Sequence, residues 1–155
     1  MLNTLTPGPV GCPIILCGLW RANVYSSKHH LTLEAALKLI RSSEVAPVDD
    51  SSPIFIGAVT RQALVGRAES KDYNLAIVNF APGARNKFHR HTHEQVLFVT
   101  YGAGYVATEA EKLEVHQGEI ILVPATEKHW HGATEHSAFS HISLTASNST
   151  TEILE

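Results

Sequence analysis

The chain has 155 residues, 44% of them hydrophobic, with 12 Lys and Arg against 15 Asp and Glu and a formal net charge of −3. That length suits one domain with a real core, which excludes wholesale disorder. No basic excess exists to neutralise a phosphate backbone, so no nucleic-acid partner is expected, and two cysteines exclude a disulfide-built secreted framework.

The first apolar stretch, Val10 to Trp20, is broken by Gly11, Pro13 and Gly18. It falls short of the ~20 apolar residues that cross a membrane. No Lys or Arg precedes Arg21, so the positive start of a signal peptide is missing. The stretch reads as a packing arm, or as an extension from an upstream start codon. Cys12 and Cys17 have no second pair for zinc and read as small buried hydrophobes. Reduced thiols without a leader lead us to expect a cytoplasmic protein with no membrane partner.

Leu31 to Arg41 carries Leu33, Ala36, Leu37 and Ile40 at helical spacing behind Thr32 as a candidate N-cap, which predicts a short amphipathic helix. Ser42 to Pro53 is rich in Ser, Pro and Asp and reads as a linker. Beyond Pro53 the pattern changes to short apolar runs: Ile54–Val59, Leu75–Phe80, Val96–Tyr101, Gly104–Thr108, Leu113–Val115, Glu119–Val123 and Ala138–Leu144. Runs of that length, separated by turn residues, predict an antiparallel sandwich or barrel. The polar stretch from Ala146 to Thr151 is expected to fray. The expected division is an arm, helix and linker over 1–53, a barrel over 54–145 and a flexible tail over 146–155.

Histidine is the residue in excess, at ten copies. One group is Phe88-His89-Arg90-His91-Thr92-His93-Glu94-Gln95, a second is Lys128-His129-Trp130-His131-Gly132, and His141 lies alone in a late strand. Alternate side chains of an extended chain share a face. His89, His91, His93 and Gln95 therefore share one parity, as do His129 and His131, while Glu94 points away. His29, His30, His116 and His136 read as solvated surface residues. His89, His91 and His129 read as a metal site, because imidazole is the commonest protein metal ligand.

The run Gly83-x5-His89-x-His91-x3-Gln95-x6-Gly102 resembles the first cupin motif, and Gly118-x5-Pro124-x4-His129 resembles the second. The resemblance covers roughly Ile54 to Leu144. It implies an all-β, single-domain jelly-roll (cupin) β-barrel with the metal inside, behind a short N-terminal helix or arm. Within that superfamily, the stretch from Phe80 to Arg85 and the run Lys128 to Ala133 are similar to small single-domain cupins labelled carboxymuconolactone-decarboxylase-like and to the manganese-dependent cupin hydroxynitrile lyases. By that resemblance the metal ligands are His89, His91, Gln95 and His129, and the residues around the substrate are Asn86, His131 and His141. The chain departs from the pattern at Gln95, where an acidic ligand is usual, at Thr126, where Gly is usual, and at Ala133, where Asn is usual. It also carries Asn86 for the lyases' Thr, Phe88 for their Trp, and His93-Glu94 for small residues.

Three imidazoles and one carboxamide are neutral ligands, so a divalent metal keeps its full charge and acts as a strong Lewis acid. The ligands suit Mn, Fe, Ni or Zn alike. The expected function is lyase, isomerase or decarboxylase-like chemistry on a small oxygenated substrate. A metal-dependent dioxygenase and a non-catalytic binding or sensory cupin stay open. His131 or His141 could move the proton, His131 could instead orient a ligand, and Phe88 is a candidate pocket wall. A homodimer is expected, because Phe98, Tyr101, Tyr105 and the apolar arm exceed what one core takes up.

Overall fold

The computed structural model describes residues 37–155. A 3-10 turn at Ser42–Glu44 precedes β1 (Val48–Asp49), β2 (Phe55–Ile56), β3 (Val59–Val65), β4 (Tyr73–Phe80), β5 (Arg85–Asn86) and β6 (His89–His91). Then follow β7 (Gln95–Thr108), β8 (Lys112–His116), β9 (Ile120–Val123), β10 (His129–Ala133), β11 (Phe139–Ala146) and β12 (Thr151–Ile153). The arm at Val10–Trp20 and both cysteines lie outside the described residues. So does most of the helix expected over Leu31–Arg41, and the described part, 37–41, is not helical.

The expected all-β jelly-roll is what forms. One sheet runs β1-β3-β4-β11-β7 with β9 on the far side of β7, all antiparallel. The other runs β2-β5-β10-β7-β8, with β6 joined to β10 and β12. The strand common to both is β7, at 14 residues. Its first half pairs with β11 as far as Gly102 opposite Phe139, and its second half pairs with β10 from Gly104 opposite Ala133. The sequence reads as two strands there, because Gly102 interrupts the run. The chain instead turns a corner. Gly102 sits at φ 72, and a Cβ there would meet Ala138 O at 1.8 Å.

Alternation sets the two faces. In β11 the buried residues are Phe139, His141 and Ser143, and in β10 His129 and His131 are buried with Trp130 between them half-buried. The inward apolar residues form one core of Val59, Val78, Phe80, Ala84, Leu97, Val99, Val106, Val115, Ala133 and Phe139. Around Phe80 and Phe139 this core packs directly against the buried His131 and His141.

Three departures from expectation matter for the site. Ile54–Val59 is not one strand: the chain turns at Gly57 between β2 and β3. β3 itself carries Arg61 and Gln62, polar enough to hide it from an apolar-run reading. The linker over 42–53 carries the 3-10 turn and β1. The tail does not fray but returns as β12, with Thr151 opposite His91 and Ile153 opposite His89. Arg90 on β6 and Glu152 on β12 clip the pair outside the barrel at 2.8 Å. Among the aromatics in excess of one core, Phe98 and Tyr101 are exposed, and Tyr105 is covered by the Lys112 ammonium at 3.6 Å from its ring centre.

Candidate metal centre

β6, β7 and β10 bring His89, His91, Gln95 and His129 to one place. Register does the work. His89 lies opposite His129 across the β6–β10 pair, and the alternation of β6 turns His91 to the same side as His89. One nitrogen from each of His89, His91 and His129 lies within 4.8 Å of the others, a spacing one cation can span. All three are buried, as is Gln95.

The second nitrogen of each ring is tethered. His89 Nδ1–H donates to Lys87 O at 2.8 Å, and His129 Nδ1–H donates to Glu127 O at 2.9 Å. His91 Nδ1–H donates to Thr151 Oγ1 at 2.9 Å. The two carbonyl bonds put the proton on Nδ1 of His89 and His129, and the Thr151 hydroxyl can accept the same proton from His91, which leaves each Nε2 lone pair turned inward. Gln95 is fixed in the same sense. Its amide N–H donates to Ser143 Oγ at 2.9 Å, so its carbonyl Oε1 faces the histidines.

That arrangement fits a divalent metal. Gln95 Oε1 and His129 Nε2 are 3.2 Å apart. With Nδ1 protonated and Oε1 a carbonyl, both are acceptors and no proton lies between them. Among the described residues His91 Nε2 is buried without a hydrogen-bond partner. Converging lone pairs that find no donor are costly unless a cation takes them up. Burial pushes His89 down to about 3, with neighbouring His129 adding to it, and pushes His91 down to about 4 by the same causes. Burial also lowers His129. The rings are therefore neutral near pH 7, the form that metals bind.

Beside this cluster lies a second polar chain. The Asn86 side chain is buried, and its Oδ1 accepts the His131 backbone N–H at 2.7 Å. Its Nδ2 then donates to His131 Nε2 at 3.0 Å, which puts the His131 proton on Nδ1. From there it donates to His141 Nε2 at 3.2 Å. Burial holds His131 well below its ordinary value, helped by the neighbouring His141, and holds His141 at about 4. Phe80 packs edge-on against His131 at 5.8 Å and Phe139 lies 5.4 Å from His141, so the pair is seated on the apolar core.

Both clusters line one cavity of about 270 Å3. The structure brings together all seven residues read from the sequence; Asn86, His89, His91, Gln95, His131 and His141 line the cavity, and His129 joins through the cluster. His93 shares their parity but not their position. The chain leaves the extended form over 92–94, and His93 faces a separate surface depression with Glu94. Phe88 does not wall the cavity and instead carries the Lys128 ammonium at 5.0 Å. Phe55 takes that place. His116 and His136 are exposed. The sequence reading missed Asp50, Arg61, Ser143 and Thr151. Only Ser143 carried a signal, since it shares the parity of His141 in a recognised strand.

Residues 76–144 match the cupin domain family. Over 70 residues the chain is 40% identical to an (R)-mandelonitrile lyase of Granulicella tundricola, a match covering 44% of this chain and 53% of that relative. The match thus spans about half the length of this curated relative. A cupin-like protein from Thermotoga maritima superposes with a TM-score of 0.65 at 29% identity, over 68% of this chain and 83% of that one. The polyketide cyclase RemF from Streptomyces resistomycificus superposes with a TM-score of 0.70 at 16% identity, over 77% of this chain and 87% of that one. No helix among the described residues is long and apolar enough to cross a membrane. The domain match, the related lyase and the shared barrel identify the barrel of this chain, over residues 76–144, as a domain of the cupin family.

Proposed function

We propose that the protein is a metal-dependent enzyme of lyase type, acting on a small oxygenated organic substrate inside the barrel. The observation that carries this reading is the set of inward lone pairs on His89, His91, His129 and Gln95, each held by a hydrogen bond on its other side. A divalent metal held there would supply Lewis acidity undiminished by any ligand charge. The (R)-mandelonitrile lyase relative supports the lyase direction.

The chain's own residues supply the rest. Ser143 orients the Gln95 oxygen, and Thr151, Lys87 and Glu127 hold the imidazoles at fixed angles. His131 and His141 are neutral and hydrogen-bonded to each other, so a substrate hydroxyl that takes the place of the Asn86 N–H can give its proton to His131 Nε2, while His141 Nε2 accepts the Nδ1–H of the imidazolium that forms. Asn86 fixes which nitrogen of His131 starts with the proton.

The test pairs two measurements on the same sample, metal content and turnover of aromatic cyanohydrins. Replacing His131 or His141 with Phe should lower kcat by about 10²–10⁴-fold with metal content unchanged. Full turnover in both variants would make the two histidines structural, and no turnover by the wild-type protein would leave a binding role in place of an enzyme. Equal turnover with and without oxygen is expected, and a strict oxygen requirement would favour a dioxygenase.

A further inference from the structure

Arg61 has no place in the scheme above, yet it stands on the inward row of its sheet. It lies opposite Val78, Val78 lies opposite His141, and His141 lies opposite Val99. Val78, His141 and Val99 are all buried. Arg61 continues that row toward β1, where Val48 lies opposite it, and it lines the same cavity as the histidines. Its fixed positive charge also contributes to holding His141 low, behind burial.

The guanidinium is poorly engaged. Its ion-pair partner is Asp50, with Nη1 3.9 Å from Oδ2, and its side chain remains 52% exposed. Among the described residues no group hydrogen-bonds it. Five N–H donors in a fork match a carboxylate far better than that single long contact does. A pair so loose and so open to water is readily displaced.

Charge points the same way. Arg61 and Asp50 cancel, and the remaining polar walls are neutral. A divalent cation among neutral ligands would leave two positive charges uncompensated, which an organic anion offsets. The cavity, at about 270 Å3, lies near the small end of ligand pockets, and Ile54, Phe55 and Ile153 give it an apolar side.

We infer that the substrate of this site is a small hydroxy or oxo acid, whose carboxylate is held by Arg61 and whose apolar group lies against Phe55. Arg61 is the specificity-determining residue, and Asp50 holds it in place until the substrate arrives. The inference rests on the metal-dependent reading above, and the experiment separates the two.

The full chain is loaded with Mn(II), and binding of mandelate is compared with binding of 1-phenylethane-1,2-diol, in which CH2OH replaces the carboxylate. Azide, too small to bridge to Arg61, reports on the metal alone by its effect on the Mn(II) spectrum. The wild-type protein should bind mandelate at least about tenfold more tightly than the diol. Arg61→Gln should lose about that factor for mandelate while azide and diol are unaffected, and Arg61→Lys should recover part of it. Mandelate binding unchanged in Arg61→Gln, or no preference for mandelate in the wild type, overturns the assignment. If the wild-type chain takes up no manganese, the metal reading fails by itself. The metal-free chain then decides the role of Arg61 by the same mandelate comparison.

Discussion

Ser143 decides which end of the Gln95 amide faces the histidines. Its hydroxyl, on β11, accepts the Gln95 N–H at 2.9 Å, and so the oxygen rather than the nitrogen points toward His129. Ser143→Ala removes that acceptor and lets the amide turn. Metal affinity should fall about 10–100-fold, as for other groups that orient a ligand. Competition against a chelating dye measures it, and an unchanged dissociation constant would mean that the barrel wall alone holds the amide.

His89→Ala should leave the protein without metal, because it removes one of the three converging nitrogens at the meeting point of β6 and β10. Gln95→Glu should retain metal but add a negative charge beside it, lowering Lewis acidity and turnover together. Elemental analysis and steady-state rates check both. Full metal occupancy in the alanine variant, or full turnover in the glutamate variant, would contradict the ligand assignment.

Acid should destabilise the metal-free fold well before the carboxylates protonate. His89, His91 and His141 are depressed to about 3, 4 and 4, whereas their unfolded values lie near the ordinary 6.5. Between those limits the unfolded chain binds protons that the folded chain does not, so stability rises with pH across that window. Each group contributes a slope of up to about 1.4 kcal/mol per pH unit. Thermal melts of the metal-free protein should therefore show Tm falling steadily from pH 6.5 to pH 4, and a flat profile there would mean that the rings are open to water.

Thr126 occupies the left-handed region at φ 67, the single non-glycine residue with positive φ among those described. Its N–H donates to His91 O at 2.8 Å, which is why the turn is held despite the branched side chain. Thr126→Gly relieves strain of about 1–3 kcal/mol and gives back part of it as unfolded-state entropy. A net gain of about 1 kcal/mol is expected, read as a higher midpoint in urea with unchanged slope. A lower midpoint would show that the Thr side chain stabilises the turn.

Much of this site is visible in the chain because its ligands obey a simple period. His89 and His91 alternate with Arg90, and His129 and His131 alternate with Trp130, so parity alone sorts inward from outward. His93 escapes that rule, because parity holds only while the chain stays extended. Arg61 and Thr151 were invisible for a different reason. Each comes from a segment too polar to read as structure, and each reaches the cavity only through pairing with a strand distant in sequence. Periodicity reports which face a residue takes. It carries no information about which strand will lie beside it.

The strand that tethers His91 is also the last one described, and all three of its residues are exposed. It is held by β6 on one side, with Arg85 and Glu155 in ion contact at 3.4 Å beyond its end. Such a strand opens more often than the barrel that carries it. Each opening withdraws Thr151 from His91 and frees that ring to turn. Metal exchange should therefore run on the clock of this peeling motion and not on that of global unfolding. Removing residues 147–155 would speed metal loss far more than it lowers the melting temperature.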